Sequence, residues 1–133
     1  MTINPVWRAS FWLLVLISLW LSLMPADQVP GAFNFWDKAQ HALGFAALAF
    51  SGLLAYPARI RSLMFALVLF GAGIECAQWV TGWRFGDWQD WVADGVGVAI
   101  GYVAWRIMKL LVNRRREGQT LGNGQTSPDK FNA

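Results

Sequence analysis

Four apolar stretches, each about 20 residues long, divide this 133-residue chain, and they restrict its fold more than any other feature. A hydrocarbon core roughly 30 Å thick takes about 20 helical residues to cross. In lipid each backbone N–H and C=O must be satisfied inside the structure, and a helix does so within one segment. The stretches cover about residues 7–24, 37–56, 62–80 and 90–112. At 56% hydrophobic residues and nine tryptophans, the chain carries more apolar surface than a domain of this length hides in water. The expected fold is therefore all-α, a compact bundle of four transmembrane helices making one domain over residues 1–112.

Proline and glycine mark the breaks. Pro5 stands where a helix can begin and Pro25 where one must end. Met24-Pro25-Ala26 does not fit the small-x-small cleavage pattern of a secretory signal, so the first segment is expected to stay as a helix. Pro30 and Gly31 break the loop that follows, and Pro57 stops the second segment. The turn from Pro57 to Arg61 is so short that the second and third helices should be antiparallel neighbours. Gly71 and Gly73 in the third helix permit close approach, and Gly97 and Gly101 in the fourth form a G-x-x-x-G packing face. That face serves packing within one chain or a homo-oligomer of two. Cys76 is expected to be a small packed side chain. Residues 113–133 are polar and basic and read as a disordered tail.

The net charge of +3 is sorted by position. Arg8, Arg59, Arg61, Arg106, Lys109, Arg114, Arg115, Arg116 and Lys130 fall where four crossings place one side, and only Lys38 and Arg84 fall opposite. By the positive-inside bias both termini are cytoplasmic. Residues 25–36 and 81–89 then face outward, in a multi-pass protein of the cytoplasmic (inner) membrane. The run Arg114–Arg116 fits a topology signal touching anionic lipid, with no nucleic-acid partner expected.

Six of the eight acidic residues, Asp27, Asp37, Glu75, Asp87, Asp90 and Asp94, lie in the outward half. Asp37 shares a face with His41, as does Lys38, at the start of the second helix, Glu75 with Gln78 near the end of the third, and Asp90 with Asp94 at the start of the fourth. An ionisable residue inside a bilayer costs about 2.5–3.5 kcal/mol on insertion scales, so such groups turn inward and pair. Glu75, His41 and Asp90 are the candidate acid–base residues, and Lys38, Gln78, Arg84 and Asp94 the candidate substrate-binding ones. Each has a plain structural alternative: Glu75 as partner of Arg84 or His41, Arg84 as neutraliser of acid, Asp37 and Lys38 as a solvated helix start. His41 with Glu75 and Asp90 or Asp94 has the composition of a three-ligand metal site, but no ligand-spacing motif supports it, so neither a metal nor another cofactor is expected. Trp36, Trp79, Trp83, Trp88 and Trp91 gather at the same level, where tryptophan favours the membrane interface whatever the function.

The series Asp37-Lys38-x-x-His41-x-x-x-Phe45-x-x-Leu48, Glu75-x-x-Gln78, Arg84 with Asp90 six residues on, a polar residue at 94 and Gly97 resembles the VanZ-like family over about residues 7–112. The family pattern favours asparagine where this chain has Asp94. The resemblance implies a bacterial membrane protein of the cell envelope, since the founding member is linked to teicoplanin-type glycopeptide resistance, and it brings no established reaction. Three functions fit: an outward polar pocket binding a membrane lipid or a lipid-linked cell-wall intermediate; an enzyme acting on a lipid-linked phosphate or glycan; and a small transporter. The last needs ionisable groups through the inner half, which the sequence lacks.

Overall fold

The computed structural model describes residues 5–25, 28, 37–82 and 87–124. They form α1 (Pro5–Leu23), α2 (Asp37–Ala55), α3 (Ile60–Thr81) and α4 (Trp88–Gly124), with no strand among the described residues. The ends follow local chemistry. Pro5 opens α1, where its missing N–H costs nothing. α2 stops at Ala55, just ahead of the Tyr56-Pro57 pair. Gly82 closes α3 at φ 67, in the left-handed region that favours glycine, and its N–H reaches the Gln78 carbonyl at 3.1 Å. Asp87 starts α4: its Oδ1 accepts from the Gln89 N–H at 2.9 Å, as an N-cap side chain does.

α1, α3 and residues 88–119 of α4 are long and apolar enough to cross a membrane. α2 is 19 residues long but begins with Asp37, Lys38, Gln40 and His41, which lowers its hydropathy. It lies innermost. Leu48, Ala49, Leu53 and Ala55 have 0% exposure, so the neighbouring helices rather than lipid surround much of α2. Phe11, Phe45, Leu63, Leu67, Ile74, Val98 and Trp105 complete the core. Many large apolar side chains are exposed along the helices, among them Trp12, Leu16, Phe65, Leu69, Ile100 and Val103, an outer surface suited to hydrocarbon.

Side-chain pairings fix the topology. Arg8 Nε and Trp12 Nε1 donate to the Tyr56 hydroxyl at 3.3 and 3.1 Å, so the start of α1 meets the end of α2. Trp91 Nε1 donates to the Val68 carbonyl at 3.1 Å, joining the start of α4 to the middle of α3. α2 and α4 run parallel in the most extensive contact of the bundle, with Ala42 against Gly97 and Ala46 against Gly101. A Cβ at either glycine would collide with an α2 carbonyl, so the G-x-x-x-G face is occupied within the chain.

Two local expectations change. Cys76 is exposed on α3 rather than packed. α4 continues to Gly124 instead of giving way to a tail at residue 113, and its side chains from 113 to 119 are exposed. Extending an existing helix avoids the cost of nucleation, and the arginines and glutamate there are good helix formers. Residues 125–133 lie outside the described residues.

Candidate functional site

The end of the bundle formed by the start of α2, the end of α3 and the start of α4 collects the charged residues. Glu75 is six residues from the end of α3 and Asp94 six from the start of α4. Each is thus roughly 9 Å inside its helix at 1.5 Å per residue. The antiparallel pairing of α3 and α4 brings them to one level.

Lys38 Nζ donates to Asp87 Oδ2 and Asp90 Oδ1, both at 3.1 Å. The Asp87 side chain is 38% exposed and that of Asp90 only 7%, so the same ammonium makes a weak surface pair with one and balances a buried charge on the other. The Gln89 N–H and the Lys38 ammonium hold the Asp87 carboxyl below its usual range. His41 Nδ1 meets Asp94 Oδ1 at 2.8 Å, with both side chains buried. With Asp94 ionised, the carboxylate only accepts, and the bond then places the proton on Nδ1 and the basic lone pair on Nε2. Asp94 Oδ2 lies against Gly71, where a Cβ would stand 2.5 Å from it.

Glu75 completes the group. Its Oε2 accepts the Asp87 backbone N–H at 2.7 Å, while its Oε1 is buried without a hydrogen-bond partner among the described residues. One ring nitrogen of His41 and one carboxylate oxygen each of Glu75 and Asp90 all lie within 4.8 Å of one another. The three candidate acid–base residues therefore converge from three helices. Glu75→Gln is expected to match or exceed the wild-type thermal midpoint in the same detergent. Glutamine keeps an acceptor for Asp87 and removes a buried charge. A midpoint lower by many degrees would make Glu75 a structural brace.

The candidate binding residues divide. Lys38 is at the cluster. Asp94 is fully buried and holds His41, so its place is behind the site rather than on a substrate. Gln78 turns away: its Nε2 donates to the Ser22 carbonyl at 2.8 Å, satisfying one of the last carbonyls of α1. Arg84, Trp36 and Trp83 lie outside the described residues, as does the side chain of Asp37. Trp79 and Trp88 are exposed at this end, consistent with an interfacial belt. Sequence reasoning missed two contributors. Asp87 caps α4, pairs with Lys38 and presents its N–H to Glu75; Gly71 makes room for Asp94 and stands one turn before Glu75 on the same face.

Helices with lipid-compatible outer faces, enclosing an acid-rich polar cluster near one end, define a helical membrane protein with a buried ionisable site. The chain belongs to the VanZ/LLP1 family, whose profile matches residues 11–109. That range takes in all of α2 and α3 and every described residue of the cluster. No curated protein and no solved structure matches the chain.

Proposed function

We propose that this VanZ-like protein crosses a bacterial cytoplasmic membrane four times, with both termini inside, and binds a lipid or lipid-linked cell-envelope intermediate at its outward polar end. The observation that carries the reading is a groove of about 630 Å³ on the outer surface between α2 and α4. Its walls include Ala42, Leu43, Val92 and Ala93, and Lys38 and Trp88 stand at its polar end. An alkyl or polyprenyl chain fits such an apolar wall, and a phosphate head beside it would reach Lys38 and the cluster behind. The sorting of Lys and Arg along the sequence supports the orientation. α2 serves as the fourth crossing, its polar first turns accommodated by the cluster. Through the intermediate it binds, the protein would alter glycopeptide susceptibility.

A second reading, an enzyme acting on the same class of substrate, is favoured by the His41–Asp94 bond. A histidine oriented by a buried carboxylate and facing a second carboxylate has the parts of an acid–base catalyst. Transport is disfavoured, because the core beyond the cluster is built of Phe45, Leu48, Leu67 and Val98 and offers no ionisable relay.

Native mass spectrometry of the full-length protein with a polyprenyl phosphate, against phosphatidylglycerol, tests the reading. Ala93→Phe fills the groove without touching the cluster. It is expected to weaken polyprenyl phosphate retention by at least about tenfold. Retention equal to wild type would remove the groove from the account.

A further inference from the structure

The cluster poses an electrostatic problem for any anionic headgroup. Among the described residues, Glu75, Asp87, Asp90 and Asp94 face one ammonium, Lys38, and one imidazole, His41. Two carboxylate oxygens, Glu75 Oε1 and Asp94 Oδ2, are buried with no hydrogen-bond partner among the described residues, and Asp94 as a whole has 0% exposure. Orphaned carboxylate oxygens in an apolar bundle signal a deficit of positive charge.

We propose that His41, Glu75 and Asp90 bind a divalent transition-metal cation of the Zn²⁺ or Mn²⁺ type. One nitrogen and two carboxylate oxygens within 4.8 Å of one another supply three protein ligands, the number that leaves a position open to a further ligand. Imidazole selects transition metals over Ca²⁺ and Mg²⁺. Tetrahedral Zn²⁺ with bonds of about 2.0–2.2 Å sets ligand atoms roughly 3.4 Å apart, so side-chain adjustments of about an ångström close the shell.

The His41–Asp94 bond is the independent observation. Metal-bound histidine usually gives its other ring N–H to a carboxylate, which fixes the tautomer and strengthens the ligand nitrogen. Asp94 Oδ1 occupies that place at Nδ1, so ligation falls to Nε2. Lys38 takes Asp90 Oδ1, so Asp90 would ligate through Oδ2. Glu75 would ligate through Oε1, because the Asp87 N–H holds Oε2. The spacing of these residues along the sequence predicts no metal; the antiparallel and parallel pairing of three helices assembles the donors.

The ion also deepens the functional reading. Bound there, it would offset most of the cluster's negative charge and offer its open position to a phosphate oxygen. That bridging role rests on the lipid-phosphate reading, whereas the ion site does not.

The test uses the full-length protein in detergent, stripped with chelator and titrated with Zn²⁺ alone by calorimetry, with metal content measured after desalting. One Zn²⁺ per chain is expected, and Glu75→Gln and Asp90→Asn should each weaken binding at least about tenfold while keeping the wild-type elution profile. Glu117→Gln, on the α4 extension, should leave binding unchanged. Co²⁺ loaded into the wild type should give visible absorption bands of a nitrogen–oxygen site, a readout independent of any variant. Absence of stoichiometric Zn²⁺, or Zn²⁺ held equally by both variants, overturns the site. Zn²⁺ bound as expected, with polyprenyl phosphate retention indifferent to chelation, keeps the ion site and overturns the bridge. If Zn²⁺ fails to bind, the Ala93→Phe measurement still decides the lipid reading.

Discussion

Asp94→Leu is expected to lower the stability of the folded bundle by about 1–3 kcal/mol, the range for leaving a buried hydrogen-bond donor without its partner. Asp94 is fully enclosed and its Oδ1 meets His41 Nδ1 at 2.8 Å. Leucine keeps the branched shape of aspartate but is bulkier, so overpacking against Gly71 adds to the cost of the stranded His41 N–H. Asp94→Asn should cost far less, because its amide oxygen still accepts from Nδ1 and the charge is gone. Chemical unfolding in a fixed detergent, followed by tryptophan fluorescence, compares the two. Equal losses would mean that His41 depends on the charge at 94 and not on the hydrogen bond.

Gly97→Ala should also be costly. A Cβ at 97 would press into the Ala42 carbonyl, with the Ala42 carbonyl carbon at 2.9 Å and its Cα at 3.0 Å. These are backbone atoms, so relief requires α2 and α4 to separate, and overpacking of this kind costs typically about 1–3 kcal/mol. Gly73→Ala is the matching control. Nothing lies within 4 Å of its Cβ position, and alanine is the better helix former. The same unfolding measurement should therefore show loss at 97 and none at 73. Loss at both positions would point to a general intolerance of the helices and away from close packing of α2 on α4.

The helices were legible in the sequence because hydropathy and proline placement act locally. Pro5, Asp37 and Pro57 mark ends that any reading of the chain can find. The convergence of His41, Glu75 and Asp90 was legible for a further reason: expected helices of similar length, packed side by side, put residues at matching distances from their ends at one level. Partner choice was not. Gln78 stands three residues from Glu75, which leaves the two about 60° apart around the helix axis. That offset turns Gln78 to Ser22 of α1 while Glu75 meets the Asp87 N–H ahead of α4. Spacing alone does not reveal such an offset's target. Gly97 and Gly101 were readable as a packing face, but a G-x-x-x-G carries no mark of which helix it meets. Asp87 was readable as a loop carboxylate, whereas its cap on Gln89 and its amide bond to Glu75 depend on the path of the chain between α3 and α4.

The burial of α2 bears on biogenesis. As the chain leaves the ribosome, α2 emerges before the helices that later surround it, and its opening residues are those that an isolated segment inserts least readily. Its parallel partner α4 is made last. On the four-crossing reading, stable residence of α2 in lipid awaits completion of almost the whole chain. The tight turn from Tyr56 to Arg59 tethers it to α3, an apolar helix able to hold the pair at the membrane meanwhile. Assembly is then a docking reaction, in which the arrival of α4 both covers the α2 backbone at Gly97 and Gly101 and supplies Asp90 and Asp94 to Lys38 and His41. Quality control of the nascent protein and completion of its polar site become one event.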